Sequence, residues 1–207
     1  PRPTWALPWG QTARRLPPNP IDIAVPSADG SPLMLDMTTS VAAGGKVDVQ
    51  LARRQPLPEG WLIDAGGNPV TDPERFRGSD VAMLPLGGPL GHKGYGLAMM
   101  IDAIAGGLSW AGCSAEEPTR GGSGYLALAI KIDSFIDPDE YKREIQKLAD
   151  WVKSSPLMPG VKKIYVPGEV EEESRQRRLA EGVPVEEATW DAIGEAAAEL
   201  GVTLPAV

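Results

Sequence analysis

Between Leu84 and Gly107 the chain reads LPLGGPLGHKGYGLAMMIDAIAGG, and this stretch restricts the fold more than any other. Its first half is too rich in Gly and Pro for regular structure. From about Gly96 a run of Leu, Ala, Met and Ile is broken only by Asp102, the pattern of a buried helix. A loop opening into a core helix is therefore predicted. Lys93 stands at the junction, between Gly91, Gly94 and Gly96, where free helix-start amides and an uncrowded cation favour a phosphate or carboxylate. A surface lysine beside a glycine-rich helix entry is the plainer alternative.

Composition narrows the class. A chain of 207 residues with 42% apolar content buries a sizeable core in one large domain or two small ones. A net charge of -8 argues against a nucleic-acid surface or an anionic membrane, both of which need a basic footprint. The single Cys113 forms no internal disulfide, and with the single His92 it excludes a zinc site built from several Cys and His. No metal is expected, and a reduced, cytoplasmic setting is. No apolar run is long enough to cross a bilayer. The opening PRPTWALPWGQTARRLPPNP reads as an extended packed loop, a connecting segment entered partway along.

Ile21 to Val25 alternates as a strand does, and Asp29-Gly30 is a turn signal before Leu33-Met34-Leu35, so two paired strands are expected. Asp36, Met37, Thr38, Thr39 and Ser40 leave the second strand. Their carboxylate and hydroxyls bond ribose and phosphate oxygens or, as readily, cap a following helix. Lys46 to Arg54 reads as a short helix, Trp61 to Ile63 as a short strand with Trp61 packing, and Val81 to Leu86 as a strand. Ser109 to Gly124 reads as a polar loop. Gly122-Ser123-Gly124 with Ala127 fits G-x-G-x-x-A, but Tyr125 to Ile132 alternates like a strand where the Rossmann motif needs a helix, so that motif is rejected.

Asp137 as N-cap, Pro138 at the first helical position and Glu140 open the clearest helix, whose apolar stripe runs through Tyr141, Ile145, Leu148, Ala149 and Val152. Lys162 to Val166 reads as a strand running into Pro167, Gly168 and Glu169 and a charged helix to about Ala180. That junction is either a tight turn or a place where amides meet an anion. A last helix, about Ala188 to Leu200, stops at Gly201.

Asn19-Pro20, LDMTTS at Leu35 to Ser40, the Pro58 to Trp61 turn, KGYGL at Lys93 to Leu97 and VPGE at Val166 to Glu169 together resemble the malate/L-lactate/sulfolactate dehydrogenase group. That group includes ureidoglycolate dehydrogenase and the reductase of cyclic imino acids. The resemblance implies an α/β fold, with helices packed on a mixed non-Rossmann sheet. It implies NAD or NADP as cofactor and hydride transfer at C2 of a small 2-hydroxy or 2-oxo acid or a cyclic imino acid. Asp36, Met37, Thr38, Thr39, Ser40, Lys93, Gly94, Pro167, Gly168 and Glu169 are the implied cofactor contacts. Residues 1–168 would form the NAD(P)-binding domain, and 169–207 a helical segment joining a missing N-terminal domain.

The Ser-Asn-His motif that carries the catalytic His in that group does not occur here, and Pro18 replaces the usual Thr before Asn-Pro. His92 is read as a loop residue, with an acid/base role as the alternative. The catalytic His is expected on an upstream segment or second polypeptide, in a complete enzyme that is a homodimer. A binding or structural subunit that keeps the fold without catalysis is the competing function.

Overall fold

In the computed structural model, which describes Ala6 and residues 8–116 and 122–204, β1 (Ile21–Val25) and β2 (Leu33–Met37) form an antiparallel hairpin. Its register pairs Ile21 with Met37 through to Val25 with Leu33. The turn signal acts as expected: Gly30 takes a left-handed φ of 87°, and the Asp29 carboxylate accepts from Ser31 N–H at 2.9 Å. Ile23, Met34 and Leu35 remain exposed on the ribbon. Residues 1–5 and 7 of the expected opening loop, 117–121 of the expected polar loop, and 205–207 lie outside the described residues.

A second antiparallel sheet orders β4 (Pro69–Val70), β3 (Leu62–Asp64) and β5 (Val81–Met83). Its apolar side chains meet Val47 of α1 (Gly44–Ala52) in one core with Ala42, Leu57 and Phe76, and Val41 and Trp61 pack against it. A parallel bridge joins Ala6 to Met83. Arg14 ties the N-terminal loop down by donating to the carbonyls of Phe76 and Val81, with its guanidinium 5.6 Å from the Phe76 ring centroid.

Residues 39–41 run beside 84–86 and link the two sheets. Leu86 N–H donates to Thr39 O and Val41 N–H to Leu84 O, each at 3.0 Å. After a left-handed Gly87 and a 3-10 turn at Gly88–Leu90, α2 (His92–Ile101) starts at N-cap Gly91. The helix thus begins before the expected Gly96, and Lys93 lies in its first turn. Gly94 is buried because α2 crosses the Leu86 backbone there: an added Cβ would collide with the Leu86 carbonyl oxygen. One π-helical turn, Asp102–Gly106, extends α2.

Asp137 caps α3 (Pro138–Lys153) as expected, accepting from Asp139 and Glu140 N–H. Of the expected stripe, Ala149 is buried while Leu148 and Val152 stay exposed. α4 (Glu169–Glu181) and α5 (Glu187–Leu200) follow, and Gly201 ends α5 with a left-handed φ of 67°. Lys153–Glu169 joins α3 to α4, and Arg53–Glu186 joins α1 to α5.

Two strand expectations are corrected. Residues 125–131 and 162–166 lie outside any strand or bridge, because no neighbouring strand among the described residues offers a ladder. The rejected dinucleotide fingerprint at Gly122, Gly124 and Ala127 is likewise followed by no helix.

Candidate functional site

The end of β2 is a knot of hydroxyls and carbonyls. Thr38 Oγ1 donates to Pro18 O at 2.6 Å, Thr39 Oγ1 to Asn19 O at 3.1 Å, and Ser40 Oγ to Ala42 O at 2.6 Å. Thr39 and Ser40 are 2% and 1% exposed, so their hydroxyl protons act inside the fold and are closed to a ligand. Thr38 is half-buried, next to half-buried Met37 and exposed Asp36. Asp36 pairs across the ladder with Asp22, and the hydrogen bond the two carboxyls share holds the Asp22 carboxyl above its ordinary range. Asn19 is the residue sequence reasoning left without a role. It is buried and donates from Nδ2 to Ala98 O at 2.9 Å, which clamps α2 to the β2 end.

The first turn of α2 faces a different electrostatic problem. Gly91 supplies no side-chain cap, no acidic residue lies in the turn, and the amides of residues 92–94 find no acceptor among the described residues. Lys93 is exposed, and its side chain makes no ion pair or hydrogen bond among the described residues. Unmet N–H groups, the positive helix end and an ammonium together suit an anion. Leu86 holds this turn close to the β2 end, since its N–H bonds Thr39 O and its backbone packs on Gly94. Trp9 lies over Gly91 and meets the exposed His92 ring edge-on, with centroids 6.0 Å apart. That contact was not legible in the sequence, where Trp9 and His92 are separated by most of the two sheets.

The junction at residues 167–169 sits at the other end of β2. Met34 N–H donates to Pro167 O at 3.1 Å, and Gly168, with a left-handed φ of 96°, lies against the Pro32 and Met34 backbone. Four residue steps of extended chain carry Met34 to Thr38, about 14 Å. Glu169 accepts from Lys153 Nζ at 2.6 Å and from Val166 N–H at 3.1 Å; the Lys153 bond holds its carboxyl below the ordinary carboxylate range. Glu171 and Glu172 join Glu169 in the first turn of α4. This turn therefore repels the anion that the start of α2 attracts. A cavity of about 750 Å³ opens here, floored by residues 31–34 and 167–169 and rimmed by Lys153, Lys163 and Arg175. Lys163 and Arg175 are ion-paired to Glu173 and Glu172. Neither residues 36–40 nor Lys93 line it.

The structure thus ties Thr39 and Gly94 to the same residue, Leu86, and sets 167–169 at the far end of the strand that leads to Thr39. Among the described residues no cluster of three His, Cys, Asp or Glu is placed to hold a metal ion. Nor is any described helix long and apolar enough to cross a membrane.

Comparison with known proteins agrees with this architecture. A family model described as malate/L-lactate dehydrogenase matches residues 2–194. A malate dehydrogenase of Pyrococcus horikoshii is 36% identical over 204 residues, covering 94% of this chain and 56% of that protein. An L-sulfolactate dehydrogenase of Methanothermobacter thermautotrophicus is 34% identical, covering 90% and 53%. The crystal structure of malate dehydrogenase from Entamoeba histolytica superposes with a TM-score of 0.86 at 26% identity, covering 97% of this chain and 59% of that one. The chain spans about half the length of the curated relatives it matches.

Proposed function

The chain belongs to the malate/L-lactate dehydrogenase family, and from that premise we propose that it is the cofactor-holding part of an NAD- or NADP-dependent oxidoreductase. The reaction moves a hydride between the nicotinamide and C2 of a small 2-hydroxy or 2-oxo acid, or of a cyclic imino acid. One observation carries this reading: the acid-free first turn of α2, with its free amides and Lys93, packed beside the end of β2.

The residues present fit such a group. Lys93 and the amides of residues 92–94 would hold a phosphate. Asp36 would take ribose hydroxyls, since Thr38 Oγ1 is engaged by Pro18 O, Ser40 N–H and Ser40 Oγ. The junction at 167–169, whose first-turn carboxylates oppose a phosphate, would meet an uncharged part of the dinucleotide through its backbone. The extent of β2 between these places suits an elongated ligand lying along the strand. When bound, the nicotinamide supplies the hydride-transfer chemistry, and this chain's residues bind and orient it.

Proton transfer falls to another segment. His92 is exposed against Trp9 and has no hydrogen-bonded carboxylate among the described residues to orient it. We assign the acid/base His and the substrate-carboxylate site to an upstream segment or second polypeptide, in a cytoplasmic enzyme that is a homodimer when complete. A non-catalytic, nucleotide-binding or structural subunit is the second reading, favoured by the inward-turned hydroxyls of Thr39 and Ser40.

Titration with NADH and NADPH, followed by turnover on a panel of 2-oxo acids once the completing segment is supplied, separates the two. Lys93→Ala is expected to weaken nucleotide binding on the order of tenfold or more, the loss of a charge-assisted contact. Unchanged affinity refutes the role of Lys93, and binding without turnover in the completed protein favours the subunit.

A further inference from the structure

Residues 123–130 carry a sequence built for the inside of a sheet and pair with no strand among the described residues. Not one backbone N–H or C=O of these residues is hydrogen-bonded among the described residues. Every residue from 125 to 130 is exposed, and Tyr125, Leu126, Leu128 and Ile130 show 81%, 52%, 82% and 66% of their surface. Both faces are thus apolar and uncovered. Leu126 to Ile130 is an unbroken apolar run, the composition of strands buried on both sides and not of surface hairpins, whose outer face alternates to polar.

The segment is packed against the fold at its start and runs into a local turn at its end. Gly124 packs so closely on the Ala105 carbonyl that a Cβ there would clash, and the 3-10 turn Ile132–Ser134 closes onto Lys131 O before α3. Exposed Ile104 is next in sequence to the Ala105 carbonyl that Gly124 meets.

What completes it follows from counting edges and faces. An interior strand needs a neighbour on each edge and a layer on each face. A second copy of this chain meeting it about a two-fold axis supplies one edge and leaves the other open. The relatives contain nearly as much polypeptide again as the stretch this chain spans. We infer that residues 123–131 form an interior strand of the complete enzyme, paired on both edges by strands from the part of the family-length polypeptide that this chain does not span. This rests on reading the chain as part of such a dehydrogenase.

Amide hydrogen exchange tests it in two arms. In the chain alone, residues 125–130 should exchange at rates near those of an unstructured peptide while Leu62 and Val81 are protected. In a fusion to the unmatched part of the Pyrococcus horikoshii malate dehydrogenase, in that protein's order, exchange at 125–130 should slow on the order of 100-fold. Fast exchange there in a fusion whose Leu62 and Val81 stay protected overturns the inference. Protection in the chain alone also overturns it; if lost on dilution of a dimer, the partner is a second copy.

The variant Leu128→Asp keeps the proposal falsifiable without the fusion. It should leave the stability of the chain alone unchanged, and destabilisation there means that the side chain is already packed. NADPH titration of the same fusion separates this inference from the functional reading. Protection without nucleotide binding keeps the strand and sinks the cofactor role; binding without protection does the reverse.

Discussion

Gly94 and Asn19 show how a residue can mark a family and act first as architecture. At Gly94 the α2 backbone passes against Leu86, and a methyl group has nowhere to go. Gly94→Ala should lower stability by about 1–3 kcal/mol, the ordinary cost of overpacking, read as a lower urea midpoint at an unchanged slope. Asn19→Ala removes one of the two donors to the Ala98 carbonyl, which keeps the Asp102 N–H, and should cost about 1 kcal/mol by the same assay. In sequence, the glycines around Lys93 read as a loose loop, because Gly needed for close approach looks identical to Gly needed for freedom. Only the presence of Leu86 distinguishes them. The hydroxyls of Thr38, Thr39 and Ser40 were open to ligand or cap from sequence, since the carbonyls of Pro18, Asn19 and Ala42 that receive them are fixed only by the fold.

Elements were legible where their signal is local. The β1–β2 hairpin, the Asp137 cap of α3 and the Gly201 stop of α5 each need only a few consecutive residues, and each forms where the pattern places it. The strands expected at 125–132 and 162–166 do not form, because a strand-like pattern belongs to one segment whereas a ladder belongs to two. Helix starts differ in a way that composition does not advertise: α2 opens with a lysine and no acid, α4 with Glu169, Glu171 and Glu172.

The acid-rich start of α4 makes a pH prediction. The Glu169 carboxyl lies below its ordinary value of 4.5 when folded, chiefly through Lys153, so its contribution is complete above that value. It is lost as pH falls through the depressed value. For a partly exposed pair this contribution is no more than about 1 kcal/mol. Urea midpoints of wild type and Glu169→Gln should therefore differ at pH 6 and converge as the pH falls through the depressed value; a gap that never narrows in acid contradicts this assignment.

At the scale of the molecule, one well-filled core at α1 and β3–β5 contrasts with apolar surface left open on α2, on α3 and along 125–130. The chain alone should therefore self-associate with rising concentration. Sedimentation of the chain, and of the fusion that covers this surface, should show aggregation falling in the second. The family was legible in five short motifs, and their spacing survives as contacts along β2: Asn19 and residues 38–40 at one end, 167–168 at the other. Placing the start of α2 at the first of these ends needed the crossing over Leu86. A crystal structure of the completed enzyme with NADPH measures the central claim directly. A phosphate oxygen should lie about 3 Å from Lys93 Nζ and within reach of the first-turn amides of α2, with the dinucleotide extended along β2. Phosphates seated at the first turn of α4, or a Lys93 turned to solvent in the complex, contradict it.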